Sequence, residues 1–204
     1  MKYLATKVTN YFIRKNIVKE DEQETYIYCF ELLIATIVNL LVMLVIAVAT
    51  QLYLESFIFT IVFMSMRGIC GGYHANTHLT CFLTLMIVFG AFITMLKLIN
   101  VIYLFYISIG CLVLASIIIC LLAPIDSITK PLTIKEYKKN KKKSIALLSF
   151  YIGISIILLI FQKTRYFSFC LTYPLIAVAI MLIVGYIKNL IQHSKEQKFQ
   201  IVEE

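Results

Sequence analysis

The chain has 204 residues, of which 61% are hydrophobic and 15% charged, against roughly 45–50% and 25% in soluble domains. That excess of apolar side chains excludes a water-soluble globular domain, and several uncharged stretches reach the ~20 residues that cross ~30 Å of hydrocarbon. The net charge of +8 does not point to nucleic acid, because the basic residues cluster beside the apolar runs, where membrane topology accounts for them, and no nucleic-acid motif is present.

Lys2, Lys7, Arg14, Lys15 and Lys19 precede the first apolar run, which begins near Tyr26. This is not the layout of a cleaved secretory signal, so targeting is expected from the first span itself. Leu4, Val8, Tyr11 and Phe12 recur among those cations at approximately helical spacing. The pattern predicts an amphipathic helix lying on an anionic inner leaflet within residues 1–25, with a solvated basic tail as the plainer alternative.

The expected fold is all-α, a single polytopic membrane domain over 1–204 with about six transmembrane helices. Candidate spans run from about Tyr26 to Thr50, Leu52 to Met66, Leu79 to Leu96, Val101 to Leu122, Ser144 to Phe161 and Leu171 to Ile187. Residues 26–122 carry the first four, 123–143 form a basic linker, 144–191 carry the last two and 192–204 form a tail. Pro124, Pro131 and Pro174 fall in the linker or near a span end, where a missing backbone donor is tolerated. Cys29, Cys111, Cys120 and Cys170 lie within or beside apolar runs and read as small buried hydrophobes rather than as a disulfide framework.

Lysine and arginine counts orient the spans. Five precede span one, one follows span two, seven lie between spans four and five, and three end or follow span six, whereas the opposite side receives only Lys97, Lys163 and Arg165. The positive-inside rule therefore predicts that both termini, residues 67–78 and the linker are cytoplasmic.

The segment from Arg67 to Cys81 joins spans two and three and holds two of the three histidines, two cysteines and three glycines. Gly71 and Gly72 permit a tight backbone path, and Asn76 or Thr77 can cap the helix that becomes span three. A helix starting there puts Cys81 in or near its first turn, where free amides favour thiolate over thiol. His74 can accept the thiol proton if the chain folds back to within ~2.6–3.2 Å. In one unbroken helix the two residues would be about 10.5 Å apart along the axis, so the mechanism requires a break between them. Cys70 is a rival nucleophile without the first-turn advantage.

Blander readings stand beside these: a cysteine in a membrane helix is usually packing and a loop histidine is usually solvated. His74, His78 and Cys81 also fall at i, i+4 and i+7, a possible three-ligand zinc face, but no glutamate stands between the histidines as in a zincin. Neither a metal nor another cofactor is expected. Arg67 either snorkels from the end of its span or holds a substrate carboxylate or the site's own backbone. Glu31 in span one is expected to pair with Arg67 or a lysine.

With these residues assembled, the chain resembles the AgrB family of bacterial membrane peptidases, which process the AgrD precursor of cyclic quorum-sensing peptides. Arg67, Gly71-Gly72-Tyr-His74-Ala75 and Cys81 look like the family's active-site segment. Ala123-Pro-Ile-Asp126 with Lys130-Pro131 looks like its signature in the basic linker. The resemblance implies that Cys81 is the nucleophile and His74 its general base, that Arg67 and Gly72 support activity, and that the protein resides in the bacterial cytoplasmic membrane. It implies cleavage of an AgrD-like propeptide through a thioester, closure of a thiolactone by a cysteine of the precursor, and a homodimer. The lysines of the linker, Lys138 and Lys139 among them, are first a topology signal, and their density further predicts attraction of an acidic propeptide tail and of anionic lipid. A small transporter or binding protein, with Arg67, Glu31 and the histidines lining a polar path, is the rival from another class.

Overall fold

The computed structural model describes the backbone of residues 2–15, 17–71, 78–125, 133–162 and 164–202, and their side chains except at 20, 78, 79, 81 and 192–202. Seven α-helices follow one another among these residues: α1 (Lys2–Arg14), α2 (Gln23–Thr50), α3 (Tyr53–Cys70), α4 (His78–Leu98), α5 (Val101–Leu122), α6 (Ile134–Ile160) and α7 (Arg165–Val202). Five of them, α2, α3, α5, α6 and α7, are long and apolar enough to cross a membrane, so the protein is a multi-pass membrane protein. The remaining expected span, the third, corresponds to α4, whose apolar stretch Phe82–Leu98 is shorter.

Two compact units organise these helices. The first contains α1, α2 and α4 up to Gly90. Ala5 and Thr9 are buried, Phe12 of α1 stacks on Phe30 of α2 with centroids 5.5 Å apart, and Gln23 donates to the Asn10 side chain at 2.9 Å. The basic N-terminal segment is therefore helical and packed on α2. Along α2 itself only Ala35, Asn39, Met43 and Ala47 are buried, a single i, i+4 stripe on a mostly apolar helix whose other residues are half-buried or exposed, as suits a lipid-facing span.

The second unit contains α3, α4 from Ala91, and α5 to α7. Phe59 lies 5.0 Å from Phe92 and 6.3 Å from Tyr173 between ring centroids, and Phe169 stacks on Phe92 at 6.0 Å, so aromatic rings from α3, α4 and α7 form the core. Helix α7 packs against α5 and α6. Of its apolar stretch 67% is buried, against 17% for α2, which makes α7 the central helix of this unit. Pro174 lies inside α7 rather than near a span end, because the helix starts at Arg165, before the apolar run. The proline leaves the Cys170 carbonyl without its i+4 donor, a loss that membrane helices tolerate when neighbouring helices surround the site.

Local chemistry sets the ends of these helices. Asn100 caps α5, its side chain accepting from the Ile102 amide at 3.2 Å. Thr133 and Glu136 form a capping box, with Glu136 accepting from the Thr133 amide at 2.9 Å and the Glu136 amide donating to the Thr133 hydroxyl at 3.3 Å. Helix α6 therefore begins at Ile134, about ten residues before the expected span, and the lysines from 135 to 143 lie on a helix instead of a linker. Lysine is a good helix former, so a firm cap suffices to draw the basic run into the helix.

Candidate active site

Helix α3 ends at the chemically dense segment. The Gly71 amide closes its last turn on the Arg67 carbonyl at 3.1 Å, and Gly71 then turns left-handed with φ 68°, the usual C-terminal stop for a helix. A glycine is needed on two counts. The positive φ disfavours any side chain, and a Cβ would stand 2.6 Å from the Ile125 carbonyl oxygen.

Ile125 is there because the segment after α5 pairs with the end of α3. Its amide donates to the Cys70 carbonyl at 3.1 Å, and Gly71 and Ile125 form an isolated parallel bridge. The two stretches singled out in the sequence, one around Gly71 and the other beginning at Ala123, thus meet backbone to backbone.

Helix α6 holds this junction from the other side. Lys141 donates from Nζ to the Cys120 carbonyl and, at 2.6 Å, to the Ala123 carbonyl, satisfying oxygens that α5 leaves open at its C-terminus. One turn on, the Ser144 hydroxyl accepts from the Cys70 thiol at 3.5 Å. Both Cys70 and Ser144 are fully buried. Beside the junction, Leu121, Leu122, Pro124, Ile125, Tyr137, Tyr186, Asn189 and Leu190 line an open cleft of about 330 Å³.

Arg67 is half-buried on α3. Its Nη1 donates to the Met181 sulfur at 2.6 Å, and its guanidinium lies over the Phe63 ring at 5.8 Å. The positive group is thus engaged inside the second unit, on α7 and on its own helix, rather than snorkelling outwards. Cys81 is the fourth residue of α4, within the turn whose amides have no intrahelical acceptor. Among the described residues α4 begins at His78, and Asn76 and Thr77, the expected caps, lie outside them. His74 and Gly72 lie outside the described residues, as do Asp126, Lys130 and Pro131 of the second motif. Lys138 and Lys139 are exposed on the first turns of α6, and Glu31 is half-buried on α2.

The structure therefore brings together Gly71, Cys70 and the Ala123–Ile125 segment. Ser144 and the clamping role of Lys141 were not singled out from sequence. The signal for them is the spacing Tyr137, Lys141, Ser144, Leu148, Tyr151 and Ser155, a stripe of alternating fours and threes on one helix face. It becomes readable only once α6 is known to start at Ile134.

The family profile described as Accessory gene regulator B matches residues 5–184 of the chain. No curated relative and no solved structure matches it at a significant level.

Proposed function

The chain belongs to the AgrB family and so acts in the agr quorum-sensing system, and from that premise we propose that it is a membrane cysteine endopeptidase, with Cys81 as nucleophile and His74 as general base, that cleaves an AgrD-like propeptide. The observation that carries this reading is the start of α4 at His78, which leaves Cys81 in a first turn. Oriented amides and the positive helix end favour a thiolate there.

The reaction divides into two acyl transfers. His74 takes the proton of the Cys81 thiol, and the sulfur attacks the scissile carbonyl of the propeptide. The C–N bond breaks, the departing amine of the acidic C-terminal part receives the proton from His74, and the N-terminal part remains as a thioester on Cys81. A cysteine thiol of the propeptide then attacks that carbonyl. The carbon–sulfur bond to Cys81 breaks, the thiolactone closes, and the enzyme thiol recovers a proton. Both thiols must stay reduced, which agrees with a cytoplasmic site, and the positive-inside distribution of lysine and arginine puts the loop, both termini and the lysines of α6 on that side. The exposed Lys138 and Lys139 attract the acidic tail of the propeptide and anionic lipid headgroups.

Co-expression with the propeptide encoded by a neighbouring short reading frame tests the assignment. Cys81→Ser and His74→Ala are expected to abolish cleavage while membrane insertion, followed by fractionation, stays unchanged. A transporter would retain its activity in Cys81→Ser, and that result would overturn the proposal.

A further inference from the structure

The basic run that begins α6 divides in two by helix geometry. The buried stripe of α6 is Ser144, Leu148, Tyr151 and Ser155. Counting back three and then four residues continues it to Lys141 and Tyr137, whereas Lys138, Lys139 and Lys142 fall on other faces. Exposure follows the same division. Lys135, Lys138, Lys139, Lys142 and Lys143 are exposed, and Lys141 is half-buried with its ammonium on the Cys120 and Ala123 carbonyls.

Those two carbonyls belong to the stretch whose next residues reach α3. The Ile125 amide holds the Cys70 carbonyl, and the Ile125 carbonyl fills the space that a Cβ on Gly71 would need. Two hydrogen bonds joined by the Ala123–Ile125 backbone therefore link Lys141 to the Cys70 carbonyl, immediately before Gly71, the last described residue before the segment that carries His74. Ser144, three residues after Lys141 on the same stripe, holds the Cys70 thiol and ties α6 to the same point a second time.

We propose that Lys141 is a positioning residue for the peptidase: it clamps the end of α5 so that the Ala123–Ile125 segment fixes the backbone at Gly71, from which the catalytic loop departs. Lys141 is committed to the fold and is unavailable to the propeptide, so the substrate-attracting role proposed for the basic run falls to its exposed members alone. The inference rests on the peptidase reading for its kinetic consequence, but its structural part stands without it.

The test uses the full-length protein in phosphatidylglycerol-containing nanodiscs, with a synthetic propeptide carrying a central cysteine and an acidic C-terminal tail. Hydrogen exchange is read over residues 67–71 and 119–125, and cleavage kinetics are read alongside. Lys141→Met is expected to raise exchange in both segments by roughly tenfold and to lower kcat by roughly 10- to 100-fold with little change in KM. Lys141→Arg, which keeps a cation and its donors, is expected to restore most of both. Lys138→Gln is expected to leave exchange and kcat alone and to raise KM at low salt. If Lys141→Met does not accumulate, Lys141→Gln is read in its place. A raised KM with intact kcat, or unchanged exchange at residues 67–71, overturns the proposal. If the wild-type protein fails to cleave the peptide while exchange in the Lys141 variants responds as expected, the peptidase reading fails and the clamp survives.

Discussion

Two cysteines stand eleven residues apart on either side of the glycine turn, one at the end of a helix and the other near the start of the next. Cys70 closes α3, is fully buried and spends its thiol proton on Ser144. Cys81 belongs to the first turn of α4, where the positive end of the helix favours a negative sulfur. On the proposed reading the same residue type is thus a packing and hydrogen-bonding group at one end of the segment and the nucleophile at the other. Position on the helix, rather than proximity to the glycines, separates them.

The comparison breaks first at its strongest claim. Cys81→Ser is expected to reduce propeptide cleavage to background, since an alcohol with its far higher pKa cannot replace a thiolate without new activation. Cys70→Ser is expected to retain most activity, because it exchanges one small hydrogen-bonding group for another. Thioester trapping and gel-resolved cleavage check both, and the reverse pattern would make Cys70 the nucleophile.

Gly71→Ala comes next in size. It forces a side chain into a left-handed conformation and sets its Cβ 2.6 Å from the Ile125 oxygen, so the junction must open. A loss of about 1–3 kcal/mol in stability is expected, with cleavage down by roughly 10- to 100-fold. Thermal unfolding in detergent and the same cleavage assay read the two effects. A fully active, fully stable Gly71→Ala variant would show that the catalytic loop does not depend on this turn.

Much of this arrangement was legible in the sequence, and what was not has definite physical causes. Apolar runs set the helices well: α5 begins and ends where its hydrophobic stretch does, because Asn100 caps it and nothing polar extends it. The start of α6 was missed because its first ten residues are mostly lysine, and hydropathy detects the lipid-buried part of a helix rather than the part that a capping box at Thr133 draws out into solvent. Arg67 illustrates a second limit. Sequence left open whether it snorkels, and only the fold could place Met181, which stands 114 residues away, within reach of it. The pairing of Gly71 with Ile125 is equally non-local. Each motif was visible by itself, but no periodicity relates positions 71 and 125, so their contact had to come from the structure.

Ser144→Ala sharpens the comparison at moderate cost. It removes the acceptor of the Cys70 thiol and leaves a buried donor unsatisfied, which is expected to cost about 1–3 kcal/mol. Labelling of Cys70 by a small thiol reagent should rise, while labelling of Cys81 stays as in the wild type. Equal changes at both cysteines would mean that they share one environment after all.

The smallest effect concerns the exposed lysines. Lys138 and Lys139 stand on the solvent-facing side of α6, so any attraction they exert on an acidic tail acts through water and is screened over a Debye length of ~10 Å at 0.1 M salt. Replacing both with glutamine is therefore expected to weaken propeptide capture by only a few-fold at low ionic strength, with the difference from wild type vanishing as salt is raised, while kcat and insertion orientation remain unchanged. Orientation should survive because the remaining basic residues on that side of the membrane still outnumber Lys97, Lys163 and Arg165. A loss that persists undiminished at high salt cannot come from long-range attraction. It would place one of these lysines in direct contact with the peptide or with the fold, and the division of the basic run between Lys141 and its exposed neighbours would have to be redrawn.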